Sequence, residues 1–303
     1  MLDEHDRRLI HDSIFSSEHD YFVWSRLLGE PFVVNGILSY FDGIAVAISG
    51  PPLGAEATKQ DPSSQLQRAV EHWMAIPAVE FVNYFGPAAI SPSQSPDFKL
   101  IYSEAPIGFN VDLFIPLHCR RSNRAERRLR QDENRVRRSG ISIEVLRQEY
   151  LTVKQLELIS GLIRRPNVEA SDAAYLVNAC TLVSHPATTV FEARKPGEVL
   201  GVGIAHSYFE GKPSFILAAF APEFIGVSDA MYGEVIKHYR EQGAEHLSLG
   251  YAVSPGQYRY KRKWGAVTYT PPSWQFIWQR CSSKASFLDC LYWPWQSLTT
   301  KMG

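Results

Sequence analysis

The segment Cys119–Gly140, CRRSNRAERRLRQDENRVRRSG, most restricts what this chain can fold into. It carries nine arginines against three acids, with no proline to interrupt it. Arg124, Arg127 or Arg128, Gln131, Arg135 and Arg138 recur at helical spacing, so a helix with one basic face is expected. Leu129 and Val136 are its only large apolar residues. Such a helix has little core face of its own and must lie against a partner or bridge two bodies. It divides the 303 residues into 1–118 before it and 141–303 after it, each of domain size. Arginine in this density favours phosphate or carboxylate partners, because its planar fork donates paired N–H groups. The competing reading is a solvated interdomain helix laced by i,i+4 ion pairs.

The two pieces follow one order of elements. Residues 1–30 read as helical, with Ile10, Ile14, Phe22, Trp24 and Leu27-Leu28 as apolar points. Two apolar runs, Ile37–Phe41 and Ile44–Ile48, flank Asp42-Gly43, a hairpin signal. The loop Gly50–Gly54 follows; it holds two prolines and so offers few N–H donors to a phosphate. A helix is expected over Ser64–Ala75, with Leu66, Ala69, Val70, Trp73 and Met74 on one face, and a strand over Val79–Tyr84. Short strands are expected at Lys99–Ser103 and Asn110–Pro116. After the basic segment come a strand (Ile141–Val145), helices at Thr152–Ile163 and Ser171–Leu182, and strands at Thr188–Arg194 and Val199–Phe209 joined by Pro196-Gly197. A strand (Ser214–Phe220), a helix (Ser228–Gln242, closed by Gly243) and a strand (His246–Leu249) complete the order.

Composition excludes several classes. Hydrophobic content of 45% and charged content of 21% are ordinary for a globular chain. Net charge is −1, so any polyanion must be met by a local patch rather than a global field. Cys119, Cys180, Cys281 and Cys290 are scattered without metal-ligand spacing, which fits a reducing cytoplasm and structural thiols. The polar start, MLDEHDRRLIHD, does not read as a signal peptide, and no apolar run approaches the ~20 residues of a membrane span. No metal constellation and no nucleophile motif stand out. The tail Ala285–Gly303, with Trp293 and Trp295, reads as packing on the second domain or as a self-association surface.

The stretch His246–Ala266, HLSLGYAVSPGQYRYKRKWGA, carries the chemistry. A short strand meets Gly250 and a Ser254-Pro255-Gly256 turn, then Tyr258 to Trp264 forms a dense basic-aromatic cluster. It reads either as a place to hold developing negative charge or as a solvated turn anchored by two aromatics. The strand Leu247-Ser248-Leu249-Gly250-Tyr251-Ala252, followed by Tyr260-Lys261-Arg262-Lys263-Trp264-Gly265, resembles the catalytic domains of the phosphatidylglycerol lysyl- and alanyltransferases and, more distantly, the FemX-type peptidoglycan transferases. Arg127 or Arg128, Leu129, Arg130, Asn134, Arg135 and Gly140 are similar to those proteins' junction segment. The resemblance is loose over nearly the whole chain and close over 127–140 and 247–265.

The resemblance implies an α+β fold with mixed sheets: two GNAT-like domains in tandem (1–118 and 141–303), joined by the basic helix 119–140. It implies an aminoacyltransferase that moves an amino acid from aminoacyl-tRNA, its co-substrate, to an amine or hydroxyl of a peptide, small metabolite or lipid headgroup. No cofactor is implied, and peripheral membrane contact is compatible with a lipid acceptor. Lys261 is expected as the cation near the oxyanion or the 3′-terminal phosphate, and Asp229 as the group holding the acceptor amine or the donor α-ammonium. Arg127, Arg128, Arg130, Arg135 and Arg138 are expected on phosphates, with Tyr232, Tyr260, Lys263 and Trp264 contacting substrate. Tyr232 departs from the family, which often has arginine there. His185 and His206 are candidate bases or structural histidines. An acyl-CoA-dependent N-acyltransferase is the alternative. Against it, the pyrophosphate-gripping junction of such enzymes reads Ala221–Ala230 here, with one glycine and the acids Glu223 and Asp229. A non-catalytic tandem-GNAT binding protein is the third reading.

Overall fold

The computed structural model describes residues 2–12, 28–49, 62–86, 95–105, 112–118, 123–138, 140–165, 170–207, 212–224, 226–252, 254–268 and 274–283, with residues 25, 53, 90 and 168. Helix α1 (Glu4–Asp12) opens the chain. The described residues fall into two compact units, each built on one mixed sheet. No helix among them is long and apolar enough to cross a membrane.

Unit 1 contains β1 (Glu30–Val34), β2 (Ile37–Phe41), β3 (Ala45–Ser49), α2 (Pro62–Met74), β4 (Phe81–Gly86), β5 (Phe98–Glu104) and a strand from far down the chain, β13 (Trp274–Arg280). Its sheet runs β1-β2-β3-β4-β13-β5. The hairpin forms where Asp42-Gly43 places it. The Asp42 carboxylate accepts from the N–H groups of Ile44 (2.9 Å) and Ala45 (2.7 Å), and Gly43 sits at φ +103°. Helix α2 lays Leu66, Ala69, Val70 and Trp73 against Ile48, Val82, Tyr84, Phe276 and Trp278. Trp274, Phe276 and Trp278 alternate onto that face, with neighbouring ring centroids 5.9 and 5.6 Å apart. This apolar face is why β13 leaves its sequence neighbours for the first sheet. The contiguous bounds 1–118 and 141–303 therefore do not describe the units: the second is built mainly from Leu113–Gly250 and Arg259–Val267.

Unit 2 contains nearly all of β6 (Asp112–Pro116), α3 (Asn123–Arg138), β7 (Ser142–Leu146), α4 (Val153–Ile163), α5 (Ala170–Cys180), β8 (Thr188–Lys195), β9 (Glu198–His206), β10 (Ser214–Phe220), α6 (Val227–Glu241), nearly all of β11 (His246–Tyr251), the last part of α7 (Pro255–Lys263), and the first residue of β12 (Val267–Thr268). The sheet order is β12-β6-β11-β10-β9-β8-β7. The arginine-rich α3 packs on α6, so the basic helix belongs to this unit. Phe191 meets His238 and Tyr239 of α6, whereas the next residue, Glu192, meets Gln155 of α4. Successive strand residues point to opposite faces, so α4 and α6 cover opposite faces of the sheet.

One difference between the sheets positions the site. In unit 1 the parallel pair β3–β4 keeps register over its whole length, from Ala45↔Phe81 to Ser49↔Phe85. In unit 2 the parallel pair β10–β11 is joined only at Ser214↔Ser248. Beyond that bridge the strands part, leaving the C-terminal end of β10 open toward the start of α6. The structure also corrects the Ser254-Pro255-Gly256 turn: Pro255 begins a helix, and the Ser254 side chain accepts from the Gln257 N–H at 3.2 Å. Serine before a proline at the first helical position is a helix start.

Candidate functional site

The chain leaves β10 at Phe220 and enters α6 through Gly226, whose φ of +92° is open to glycine at little cost. Asp229 lies in the first turn of α6, where the helix dipole favours a carboxylate. It is 8% exposed. Lys263, at the end of α7, donates from Nζ to Asp229 Oδ2 at 2.6 Å. The other oxygen, Oδ1, is buried and accepts no hydrogen bond from the described residues. A buried carboxylate with one satisfied oxygen keeps an acceptor ready for an N–H or O–H group.

One turn further, Tyr232 is walled by aromatics. Its ring meets Phe215 edge-on at 4.9 Å and Tyr260 at 5.2 Å, and stacks on Trp264 at 5.5 Å. Trp264 is wholly buried and serves packing. Burial first, and the nearby Asp229 charge second, push the Tyr232 phenol well above its ordinary value. The Tyr260 phenol is pushed up by burial as well, with Asp229 and Tyr232 adding to it. Both hydroxyls hold their protons firmly and do not act as bases near neutral pH.

Lys261 sits at the end of β11. It is 8% exposed, and its Nζ donates to the carbonyls of Leu249 (2.6 Å) and Gly250 (3.1 Å). These carbonyls end β11, where β10 has already separated. Lys261 thus holds the free end of the split, and Lys263 is the cation that meets Asp229.

A cleft of about 930 Å³ opens beside Asp229. Lys154, Glu157, Leu158 and Gly161 of α4 form one wall; Phe220, Glu223, Phe224 and Ser228, around the start of α6, form another. Four carboxylates line it (Glu157, Glu198, Glu223 and Asp229) against two cations, Lys154 and Arg165. Lys154 is bound to Glu157 at 2.9 Å, and the neighbouring Lys195 lies over the Phe224 ring at 4.6 Å. Glu223 and Asp229 thus stand at the junction where a pyrophosphate would need donors. Sequence reasoning missed the α4 wall, because Glu157 and Gly161 look like ordinary exposed helix positions.

The remaining candidates lie elsewhere on unit 2. Arg127, Arg130 and Arg138 are exposed on α3, and Arg130 makes a 3.4 Å pair with Glu126. The side chains of Arg128 and Arg135, and most of the Gly50–Gly54 loop, lie outside the described residues. His206 ends β9, whereas the cleft meets that strand at Glu198, roughly 25 Å away at strand rise. Its Nδ1 lies 2.9 Å from the Thr188 hydroxyl, and its ring packs 5.0 Å from His185. Neither histidine is among the residues that line the cleft.

No protein-family model matches the sequence, and no curated protein matches it. Solved structures do. A conserved protein of unknown function from Bacteroides thetaiotaomicron is similar over 92% of this chain and 98% of its own, with a TM-score of 0.61 at 12% identity. FemX is similar over 91% of this chain and 96% of its own, with a TM-score of 0.59 at 10% identity. L-PGS from Bacillus licheniformis is similar over 96% of this chain and 95% of its own, with a TM-score of 0.51 at 14% identity. The chain therefore carries, over nearly its full length, the tandem α+β fold of FemX and L-PGS.

Proposed function

We propose that this protein is a transferase that takes the aminoacyl end of a charged tRNA into the cleft of unit 2 and passes the amino acid to an amine or hydroxyl acceptor. The carrying observation is Asp229, a buried carboxylate among the residues that line the cleft, with one oxygen tied to Lys263 and the other without a hydrogen-bond partner among the described residues. Oδ1 accepts the α-ammonium of the donor amino acid. The acceptor nucleophile then attacks the ester carbonyl, and the ribose oxygen leaves with the proton the nucleophile gives up. Such a reaction asks the protein mainly for positioning, which a fixed ammonium supplies. The exposed arginines of α3 take backbone phosphates, giving affinity that falls steeply with salt. Tandem folds shared with FemX and L-PGS support the reading.

An acyl-CoA enzyme is the second reading, favoured only by the position of the cleft at the β10–α6 junction. Glu223 and Asp229 oppose it, since both bring negative charge to where pyrophosphate would lie. The test is filter retention of a mixed aminoacyl-tRNA pool against deacylated tRNA, with acetyl-CoA followed by thermal shift. Retention of one charged species is expected, with no acetyl-CoA shift. A shift with acetyl-CoA and no charged-tRNA preference would overturn the proposal.

A further inference from the structure

The wall of the cleft formed by α4 rests on an unusually polar seat. Of its residues only Gln155 and Ile159 are fully buried. Gln155, wholly inaccessible, donates from Nε2 to Oε2 of Glu192 on β8 at 2.6 Å. Glu192 is itself 1% exposed, a carboxylate in the sheet beneath the helix. Its other oxygen accepts from the Arg194 guanidinium, which also reaches Glu144 on β7 at 3.3 Å. The Gln155 carbonyl oxygen accepts from the Thr152 N–H (2.9 Å) and from Gln148 Nε2 (2.7 Å). Every polar atom of the Gln155 amide and the Glu192 carboxylate is thereby engaged. An apolar pair here would bury as much surface at lower cost, but would let the helix slide. A hydrogen bond between two buried polar groups fixes one position.

We infer that Gln155 and Glu192 are positioning residues: their hydrogen bond fixes the distance of α4 from the start of α6, and so the width of the cleft. Val199, which lines the cleft on β9, pairs with Arg194 in the same network, so the latch ties two walls together. The inference rests on the cleft being the site proposed above, but it is tested without ligand, so the two fail separately.

The experiment measures the cleft width by electron paramagnetic resonance between spin labels at Gly161→Cys on α4 and Glu223→Cys before α6, with the native cysteines replaced by serine. Both positions are exposed, and a side chain at Gly161 meets nothing within 4 Å. Gln155→Glu keeps the shape and the helix cap but sets two carboxylates against each other. The distance should broaden and lengthen by roughly 2 Å, the scale of a helix shift. Combining Gln155→Glu with Glu192→Gln restores one carboxylate and one amide with the polarity reversed, and should restore the original distance. A role confined to the helix cap would leave the width unmoved by Gln155→Glu. An unchanged distance in the single variant, or a widened one that the swap does not restore, would overturn the inference. Should the single variant not fold, a folded swap with the original distance supports the latch and a widened swap refutes it.

Discussion

Lys261→Met separates a structural lysine from a catalytic one. Methionine keeps the length and apolar stem of the side chain while removing the ammonium. It removes two charge-assisted hydrogen bonds, to Leu249 O and Gly250 O, at the unpaired end of β11. Bonds to a charged group are worth about 1.5–3 kcal/mol each, and the recovered cost of burying the ammonium offsets part of the total. A net loss of about 2–4 kcal/mol follows. For a unit of this size each kcal/mol shifts the melting temperature by about 2–4 °C, so scanning calorimetry should show a fall of about 4–16 °C. Retention of charged tRNA well below the new melting temperature should persist. An unchanged melting temperature together with abolished retention would refute the structural role and return Lys261 to the transfer chemistry.

Three further outcomes are expected. Arg280→Ala should destabilise unit 1 by about 3–5 kcal/mol in urea unfolding, because one guanidinium serves the carbonyls of Met74, Ile76 and Val79 after α2 and covers the Phe98 ring; an unchanged midpoint would contradict it. Alkali should weaken unit 2. Burial raises the Tyr239 phenol to about 12, while the unfolded chain ionises near 10, so stability is intact below about pH 10 and is lost as pH rises toward 12. Urea midpoints flat across that window would refute the assignment. Replacing Arg127, Arg130 and Arg138 together by glutamate should leave melting unchanged, since all three are exposed. It should also lower the salt dependence of tRNA binding by roughly one unit of slope for each phosphate the arginines no longer hold; an unaltered slope would place the phosphates elsewhere.

Local rules made much of this fold legible before any coordinates. The Asp42-Gly43 hairpin, the amphipathic α2 and the glycine-ended α6 follow from turn chemistry and apolar period, which act within a few residues. The sheet that β13 joins is not legible locally, because partner choice depends on matching a Trp–Phe–Trp face to Tyr84 and Val82 across the whole length of the chain. Helix α7 was hidden behind Pro255-Gly256, which suggests a turn unless Ser254 is read as a cap. Asp229 was legible as a helix-start acid in a junction hostile to pyrophosphate. Its Lys263 partner was not, since the two lie far apart in sequence and meet only when α7 folds back toward α6. Lys261 and Lys263 differ by two residues and so face different ways on one helix, and a motif alone does not say which one meets the carboxylate.

The claim that Asp229 receives the donor ammonium is tested most directly by the ratio of affinities for charged and deacylated tRNA, in wild type and in Asp229→Asn. Asparagine keeps the shape but exchanges an ion pair for a hydrogen bond from the ammonium to a neutral oxygen, a loss of about 1.4 kcal/mol or tenfold. The preference for charged tRNA should fall by about that factor, while the arginine-driven affinity for deacylated tRNA stays the same. An undiminished preference in Asp229→Asn would contradict the account.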